Sequence, residues 1–310
     1  MDALPGCARV SNSTELAAHV TRHRGAIAFV DLELVAKIDC DLAGLTVVAI
    51  SEGAVSELVT VLLGYPRVSH VLSATLLKAP SLGGHLEELC ERIQRGPEQT
   101  VAGGIGIGRA ALFTSSERRA ARLERVVDFF TAQGVRPKTI AALSDIAEEL
   151  MTNALYDAPR EAGCFHTAVS RTAPIELRPD QACEISYGVY GERLFVRVRD
   201  PFGSLTRQRL LQVLDRCRRK DVPLDESRGG AGLGIWRVFS QASGVTIAVI
   251  PGRLTDFLVY MDANARRMGG NLQTVQLIYP DEFALDGIAG RFAADHDFDL
   301  MDDSFTALLA

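Results

Sequence analysis

The sequence has few of the features that mark secreted, membrane-bound or nucleic-acid-binding proteins. Its six cysteines are scattered and form no C-x-x-C pair, so we expect reduced thiols and no thiolate metal site. No apolar stretch is long enough to cross a bilayer, and the N-terminus has no basic region followed by an apolar run. The formal net charge of −6 does not favour nucleic-acid binding. We therefore expect a soluble, cytoplasmic protein that binds no nucleic acid and does not insert into membranes.

The size and composition predict a folded protein with room for two domains. The chain has 310 residues, of which 47% are hydrophobic and 23% are charged. These proportions are ordinary for a soluble protein with a hydrophobic core. The sequence contains no sustained internal repeat.

Three short apolar runs in the first part of the chain each end at a polar residue. The runs are 26–30, 45–50 and 71–77, and helix-period segments cover 54–63 and 82–93. Buried strands that alternate with helices predict a parallel α/β sheet. Such sheets place functional side chains at the carboxyl ends of their strands, where Asp31, Ser51 and Lys78 stand.

Residues 1–97 resemble the receiver domain of response regulators. The resemblance makes Asp31 the candidate phosphoacceptor, with Ser51 at the hydroxyl position and Lys78-Ala79-Pro80 at the lysine–proline turn. The receiver's first strand, with its acidic pair for Mg²⁺, has no counterpart in this chain. We therefore expect a degenerate, truncated flavodoxin-like domain that makes protein contacts, in preference to an active receiver.

Residues 98–136 are predicted to form a linker and a connecting helix. The glycine-rich stretch 96–108 does not have the G-x-G-x-x-G spacing of a dinucleotide loop. A linker, or a strand that leads into the next domain, is therefore favoured. A helix-period segment follows it at 116–133.

A helix predicted over 137–156 carries an acid and an amide on one face. Glu149 and Asn153 are four residues apart, so they lie one above the other on a helix. A carboxylate with an amide oxygen suits Mg²⁺ bound to phosphate, and the carboxylate could also act as a base. The alternative is a polar helix face that is simply solvated.

Two strands are predicted at 183–190 and 193–199, and the second ends at Asp200. A turn that contains Pro201 and Gly203 follows. An aspartate at a strand end can accept a hydrogen bond from an adenine amino group. The alternative is that Asp-Pro only initiates the turn.

The stretch 229–234 holds four glycines in six positions, and an amphipathic helix is predicted directly after it. Glycine lets backbone N–H groups approach an anion, and the helix N-terminus adds partial positive charge. No Gly-Lys-Ser/Thr follows, which excludes the P-loop pattern. The stretch is predicted to cradle phosphate, with a flexible turn as the alternative.

These three features, in this order, resemble the GHKL ATP-binding fold of histidine kinases and anti-sigma-factor kinases. The resemblance implies an α/β-sandwich (Bergerat) domain over 137–280 that binds ATP or ADP with Mg²⁺. It makes Glu149 the catalytic base or water-orienting group and Asn153 the ligand of Mg²⁺ and phosphate, and it places Asp200 on the adenine amino group. The other nucleotide-binding residues that it implies are Gly203, Gly230, Gly232, Leu233, Gly234 and Thr255.

The sequence departs from the family's pattern in three places. The family's Asp-x-Gly-x-Gly motif reads Asp200-Pro201-Phe202-Gly203-Ser204 here, so one glycine is absent and the other is shifted. Asp157 stands near where many relatives carry a basic residue, which predicts a less electropositive phosphate side. No histidine lies within 109–150, where a sensor kinase carries its phosphoacceptor. We therefore expect no autophosphorylation on histidine.

The expected function is that of a cytoplasmic signalling protein, of the two-component kind, which binds ATP·Mg²⁺. It would phosphorylate or conformationally regulate a protein partner, as a kinase or ATPase, and a homodimer is a candidate assembly. The alternative is a non-catalytic interaction module whose nucleotide site is degenerate. A tail over 281–310 interleaves aspartates with large apolar residues, a pattern that suits either docking on a basic groove or packing on its own domain.

Overall fold

The protein is a mixed α/β structure built on one large mixed sheet. The computed structural model describes residues 13–23, 25–35, 45–51, 55–65, 68–76, 82–95, 107–165, 169–219, 233–263 and 272–279. Within these ranges no helix is both long and apolar enough to span a membrane.

The sheet holds the following strands: β1 Ala26–Asp31, β2 Leu45–Ser51, β3 Val68–Ser73, β4 Ile107–Phe113, β5 Cys183–Tyr190, β6 Arg193–Asp200, β7 Gly244–Ile250, β8 Leu254–Asp262 and β9 Thr274–Ile278. The α-helices are α1 Ser13–Arg22, α2 Leu32–Val35, α3 Val55–Gly64, α4 Leu82–Arg95, α5 Arg119–Ala132, α6 Pro137–Thr152, α7 Ala158–Glu161, α8 Arg207–Arg219 and α9 Leu233–Gln241.

The strands follow the order β1-β2-β3-β9-β7-β8-β6-β5-β4. The first three pair in parallel. β9 lies antiparallel to β3 and parallel to β7, and from β7 to β4 each strand is antiparallel to its neighbour. The strands of the segment predicted as receiver-like therefore share one sheet with those of the segment predicted as the ATP-binding domain.

The main core lies on one face of this sheet. It combines buried residues of the strands with residues of α3, α5, α6, α8 and α9, and its largest buried side chains include Phe130, Leu143, Ile146, Leu155 and Phe239. Because side chains alternate across a strand, Val47 and Ala49 of β2 belong to this core while Val48 packs with α4 in a second cluster. The helices that carry the candidate site are thus fixed by the main core.

The local sequence explains why α6 presents an acid and an amide beside its buried face. Pro137 occupies the first turn, where its missing N–H costs no hydrogen bond. Apolar residues then recur at helical spacing, and the buried ones include Ile140, Leu143, Ile146, Ala147, Leu150 and Met151. Glu149 and Asn153 lie at the border of this face, and both are half-buried.

The helix does not end at Thr152 but continues as a π-helical segment over Asn153–Asp157, and α7 follows. The wider π turn changes the angular spacing of side chains, and such segments recur at functional sites. Ala154, Leu155 and Tyr156 of this segment are buried. The π segment is therefore anchored in the core while Asn153 and Asp157 remain at its border.

Most strands and helices lie where the sequence predicts them, and β3 is an exception. The sequence predicts a strand at 71–77, but β3 covers Val68–Ser73. The buried polar residue His70 interrupts the apolar pattern at its start, which hides the first residues of the strand. Beyond Ser73 the chain turns, and the amide of Thr75 donates to the Ser73 hydroxyl at 3.3 Å. Leu76 then packs with α4 in the second cluster.

The segment 98–136 supplies more than a linker. Its described part forms the edge strand β4, which pairs with β5, and helix α5, which packs on α6. Four elements, α1, α2, α7 and β9, were not predicted from the sequence. Asp31 and Ser51 are the last residues of β1 and β2, as predicted. Lys78 and the tail 281–310 lie outside the described residues.

Candidate functional site

The Glu149 side chain lies between α6 and the start of α9. Its exposed fraction is 19%, and burial raises the pKa of the Glu149 carboxyl. The Arg171 guanidinium and the Asn153 side chain partly oppose this rise. A carboxyl group whose pKa lies closer to neutrality is better suited to accept a proton at physiological pH.

Gly234 lies so close to the Glu149 carboxyl group that a Cβ at this position would require that group to move. A Cβ added at Gly234 would lie 1.9 Å from Cδ of Glu149, inside any permitted contact distance. Gly234 is the second residue of α9, so the end of the glycine run lies directly on the acid of α6. The two features that the sequence analysis selected separately therefore form one wall.

Arg171 reaches into the same place from the segment that follows α7. Its Nη2 donates to Oδ1 of Asn153 at 3.2 Å and forms a very short contact with Oδ2 of Asp157. Its Nη1 lies 3.8 Å from Oε1 of Glu149. One guanidinium thus faces three oxygen-bearing side chains along one side of the helix.

The negative charge of Asp157 is compensated by neighbouring arginines, although its position in the sequence predicts a less electropositive site. Arg171 pairs with it, and Nη2 of Arg160 lies 3.1 Å from its Oδ1. Positive charge therefore comes to this side of the site from residues 160 and 171. The sequence analysis missed Arg171, because no local spacing connects it to the helix that it contacts.

A cavity of about 320 Å³ opens beside these residues. Its lining includes Glu149, Arg171 and Gly234, together with the two further arginines Arg119 and Arg237. Nη1 of Arg119, the first residue of α5, donates to the Thr152 hydroxyl at 3.2 Å. The lining thus places the end of the glycine run beside three cationic side chains, and because Asp145, Glu148 and Glu149 line the same cavity, its formal charges are balanced.

Two polar atoms of the cavity wall, on Gln241 and Arg171, have no hydrogen-bond partner among the described residues. Gln241 lines the cavity, and its buried Oε1 accepts no hydrogen bond within the described part of the chain. A buried polar atom without a partner is costly, so its presence in a cavity wall points to a ligand or water that completes it. The buried hydroxyl of Thr255 likewise has no hydrogen-bond partner within the described ranges.

Asp200 ends β6 with a buried carboxyl group, and 7% of the residue is exposed. Its Oδ1 accepts the backbone N–H of Phe202 at 3.0 Å. Burial raises the pKa of Asp200 to about 7, against the opposing effect of nearby backbone amides and the Thr255 hydroxyl. Burying an ionised carboxylate is costly, so we expect the ionised form of Asp200 to lower the free energy of unfolding.

Thr255 lies directly opposite Asp200 across the pairing of β6 and β8. Its buried hydroxyl is close enough to influence the Asp200 carboxyl, but it makes no hydrogen bond of ordinary geometry with the described residues. A carboxyl group and a hydroxyl group therefore lie side by side with unused hydrogen-bonding capacity.

Gly203 has a structural reason to be glycine. Its φ of +56° is in the left-handed region, and a Cβ there would lie 2.0 Å from the backbone oxygen of Ile250. Its carbonyl accepts the Gly252 amide at 3.3 Å, so the turn after Asp200 is fastened to the hairpin between β7 and β8. The shifted glycine of the Asp-Pro-Phe-Gly sequence therefore serves the turn itself.

Two contacts tie the Asp200 turn to the helix that carries Glu149 and Asn153. The thiol of Cys183 donates to the Ala154 carbonyl at 3.7 Å, and the charge of Asp200 contributes to the raised pKa of that thiol. The hydroxyl of Ser204 donates to the Ala158 carbonyl at 3.0 Å. The turn that follows Asp200 is thus held against the chain just after the π segment.

Other predicted site residues lie elsewhere. Asp31 is exposed on β1, the far edge strand, which is six strand spacings or roughly 30 Å from β6. Ser51, at the end of β2, is buried. Leu233 is exposed at the start of α9. Gly230 and Gly232 lie outside the described residues.

Comparison with known proteins identifies no relative: no protein-family model matches the chain, and no curated protein matches it. In the described ranges, no group of three or more His, Cys, Asp and Glu side chains is arranged to hold a metal ion.

Proposed function

We propose that the protein binds an adenine nucleotide in the manner of a GHKL domain, and that it is a cytoplasmic signalling protein. The adenine would lie at Asp200 and Thr255, and the phosphates would lie at Gly234 and the cavity beside it. The receiver-like first segment would serve protein contact. The observation that carries the proposal is the contact of Gly234 with Glu149, because it joins the glycine run to the acid/amide helix.

The phosphate side is supported by the shape of the cavity and by its arginines. Arg119, Arg171 and Arg237 line a cavity of about 320 Å³, alongside three acidic residues, and this volume is within the size range of small-molecule sites. The N-terminus of α9 begins at this wall and adds its partial positive charge. Gly230 and Gly232 would complete the cradle through their backbone N–H groups.

The adenine side is supported by the buried pair of Asp200 and Thr255. An ionised Asp200 would accept a hydrogen bond from the adenine amino group, and the partnerless Thr255 hydroxyl could bond a ring nitrogen or a bridging water. Such a ligand would repay part of the cost of burying the carboxylate. Gly203 would support the base indirectly, by holding the turn.

The side-chain oxygens near the proposed phosphate position could coordinate Mg²⁺ only together with phosphate oxygens of the bound nucleotide. Asn153 Oδ1 is a suitable oxygen ligand, and Glu149 and Asp157 add negative charge nearby. Mg²⁺ keeps few protein ligands when phosphates supply the others. Asn153 Oδ1 already accepts Nη2 of Arg171, so Mg²⁺ would bind there only if the guanidinium moved away.

Nucleotide binding is tested by calorimetric titration of the full chain with ADP and with GDP at pH 8. We expect ADP to bind at least about tenfold more tightly, because guanine presents a carbonyl oxygen where adenine presents an amino group to Asp200. Equal affinities would exclude the assignment of Asp200 to adenine. The absence of heat with either nucleotide would overturn the proposed function.

If the bound ATP is hydrolysed or its phosphate is transferred, Glu149 is the candidate base. Glu149→Gln is then expected to lower turnover by about 100-fold or more while ADP affinity changes by less than about threefold. The measurement is steady-state phosphate release or transfer, paired with calorimetry. Glu124→Gln, the same change at an exposed glutamate of α5 outside the cavity lining, is the control and should retain turnover. Unchanged turnover in Glu149→Gln would remove Glu149 as the base.

A further inference from the structure

We propose that the site binds its nucleotide without a divalent cation, because the Arg171 guanidinium occupies the position among Glu149, Asn153 and Asp157 that a cation would take. This inference rests on the proposed function. It names the residue that compensates the acidic side chains near the phosphates, and it separates nucleotide binding from any metal-dependent transfer step.

Oxygen atoms of three side chains surround the Arg171 guanidinium. Asn153 Oδ1 receives Nη2 at 3.2 Å, Asp157 forms a very short ion pair with the same nitrogen, and Glu149 Oε1 lies 3.8 Å from Nη1. These oxygens are the hard ligands that would otherwise attract Mg²⁺. A guanidinium is always charged, so this cation is present at every physiological pH.

The Nε–H group of the same side chain is a hydrogen-bond donor that is not used within the described residues. Arg171 lines the cavity, and its Nε is buried without a hydrogen-bond partner in the described part of the chain. Leaving a charged donor unpaired in a buried position is costly. A phosphate oxygen in the cavity would supply the missing acceptor, so Arg171 can bind the helix and the nucleotide at once.

Mg²⁺ and the Arg171 guanidinium would exclude each other at Asn153. A Mg²⁺ ion on Asn153 Oδ1 would share its ligand with the guanidinium and would lie within a few ångströms of it. Like charges at that distance repel strongly in a half-buried site. Arg171 and Mg²⁺ are therefore alternatives at Asn153, and removal of Arg171 opens the position to the metal ion.

Calorimetric titration of ADP with excess Mg²⁺ and with EDTA tests this inference in the full chain. In the unmodified protein the dissociation constant is expected to differ by less than about threefold between the two conditions. In Arg171→Ala it is expected to rise at least about tenfold in EDTA and to recover when Mg²⁺ is added. Arg160→Ala is the matched control, because Arg160 also pairs with Asp157 but, in the described part of the chain, its other partner is Glu161 and not Asn153.

Each outcome has a distinct meaning. Unmodified protein that binds ADP only with Mg²⁺ overturns the inference and leaves the proposed function standing. Equal loss of binding in Arg171→Ala with and without Mg²⁺ also overturns it, since Arg171 and the metal would then not substitute for each other. No binding to the unmodified protein in either condition overturns the proposed function itself. Arg171→Gln, which retains a donor for Asp157, gives the same test if the alanine variant does not fold.

Discussion

Replacement of Asp200 by asparagine is expected to stabilise the nucleotide-free protein at pH 8 by roughly 2–4 kcal/mol and to weaken ADP binding. The rise in the pKa of Asp200 from 3.8 to about 7 corresponds to a cost of about 4 kcal/mol for the buried carboxylate above pH 7. Asparagine has nearly the same shape and can still accept the Phe202 N–H. It removes the buried charge, which is the source of the cost.

The sign of the pH dependence follows from where the proton is held. Between about pH 4 and pH 7 the folded chain keeps the proton on Asp200, while the unfolded chain has lost it. The contribution of Asp200 to the free energy of unfolding therefore falls as the pH rises through this window. Above pH 7 both states are ionised, and the full cost remains. The stabilisation by Asp200→Asn should accordingly be largest at pH 8 and less than half as large at pH 5.

Urea unfolding of both proteins at pH 5 and pH 8, with ADP calorimetry at pH 8, measures both parts of this prediction. We expect ADP affinity to fall by about ten- to hundredfold, the cost of losing a hydrogen bond to a charged acceptor. Asp128→Asn, which changes an exposed aspartate of α5 outside the cavity lining, is the control and should alter neither quantity appreciably. A lower free energy of unfolding for Asp200→Asn at pH 8 would contradict the prediction, because the carboxylate would then stabilise the fold.

Replacement of Gly234 by alanine is expected to destabilise the protein by about 1–3 kcal/mol and to weaken ADP binding by about tenfold or more. The added Cβ would lie 1.9 Å from Cδ of Glu149, so that α9 or the Glu149 side chain must move. Either movement separates the glycine run from the acid of α6. The change would thus act on the contact that carries the proposed function.

Two comparisons isolate this contact. Gly64→Ala makes the same change at the end of α3, where nothing lies within 4 Å of the added carbon, and we expect a neutral or slightly stabilising effect. In a Glu149→Ala background, Gly234→Ala should cost less than about 0.5 kcal/mol, because the obstructing carboxyl group is gone. Urea unfolding of the four proteins of this cycle gives the coupling energy, and additive effects would contradict the contact.

The sequence was sufficient for those parts of the fold that depend on local periodicity. The helix that carries Glu149 and Asn153, the strand that ends at Asp200 and the helix behind the glycine run each have a pattern of their own. β9 has five residues and no distinctive signal, yet it joins the parallel and antiparallel parts of the sheet. Its position depends on pairing with distant strands, which a local pattern does not reveal.

The same limit applies to the candidate site. The pairing of Glu149 with Asn153 follows from helix geometry, but the arrival of Arg171 depends on the path of the chain after α7. The close contact between Gly234 and Glu149 likewise depends on how α9 packs on α6. The burial of Asp200, and with it the raised pKa, comes from the turn and hairpin around it.

The proposed adenine-nucleotide site is tested most directly by a crystal structure of the full chain with bound ADP. We predict that the adenine amino group lies within about 3.2 Å of the Asp200 carboxylate and that the phosphates lie beside Gly234 and Arg171. ADP bound at another place, or an empty site in crystals soaked at a concentration that saturates a nucleotide-binding protein, would contradict the proposal.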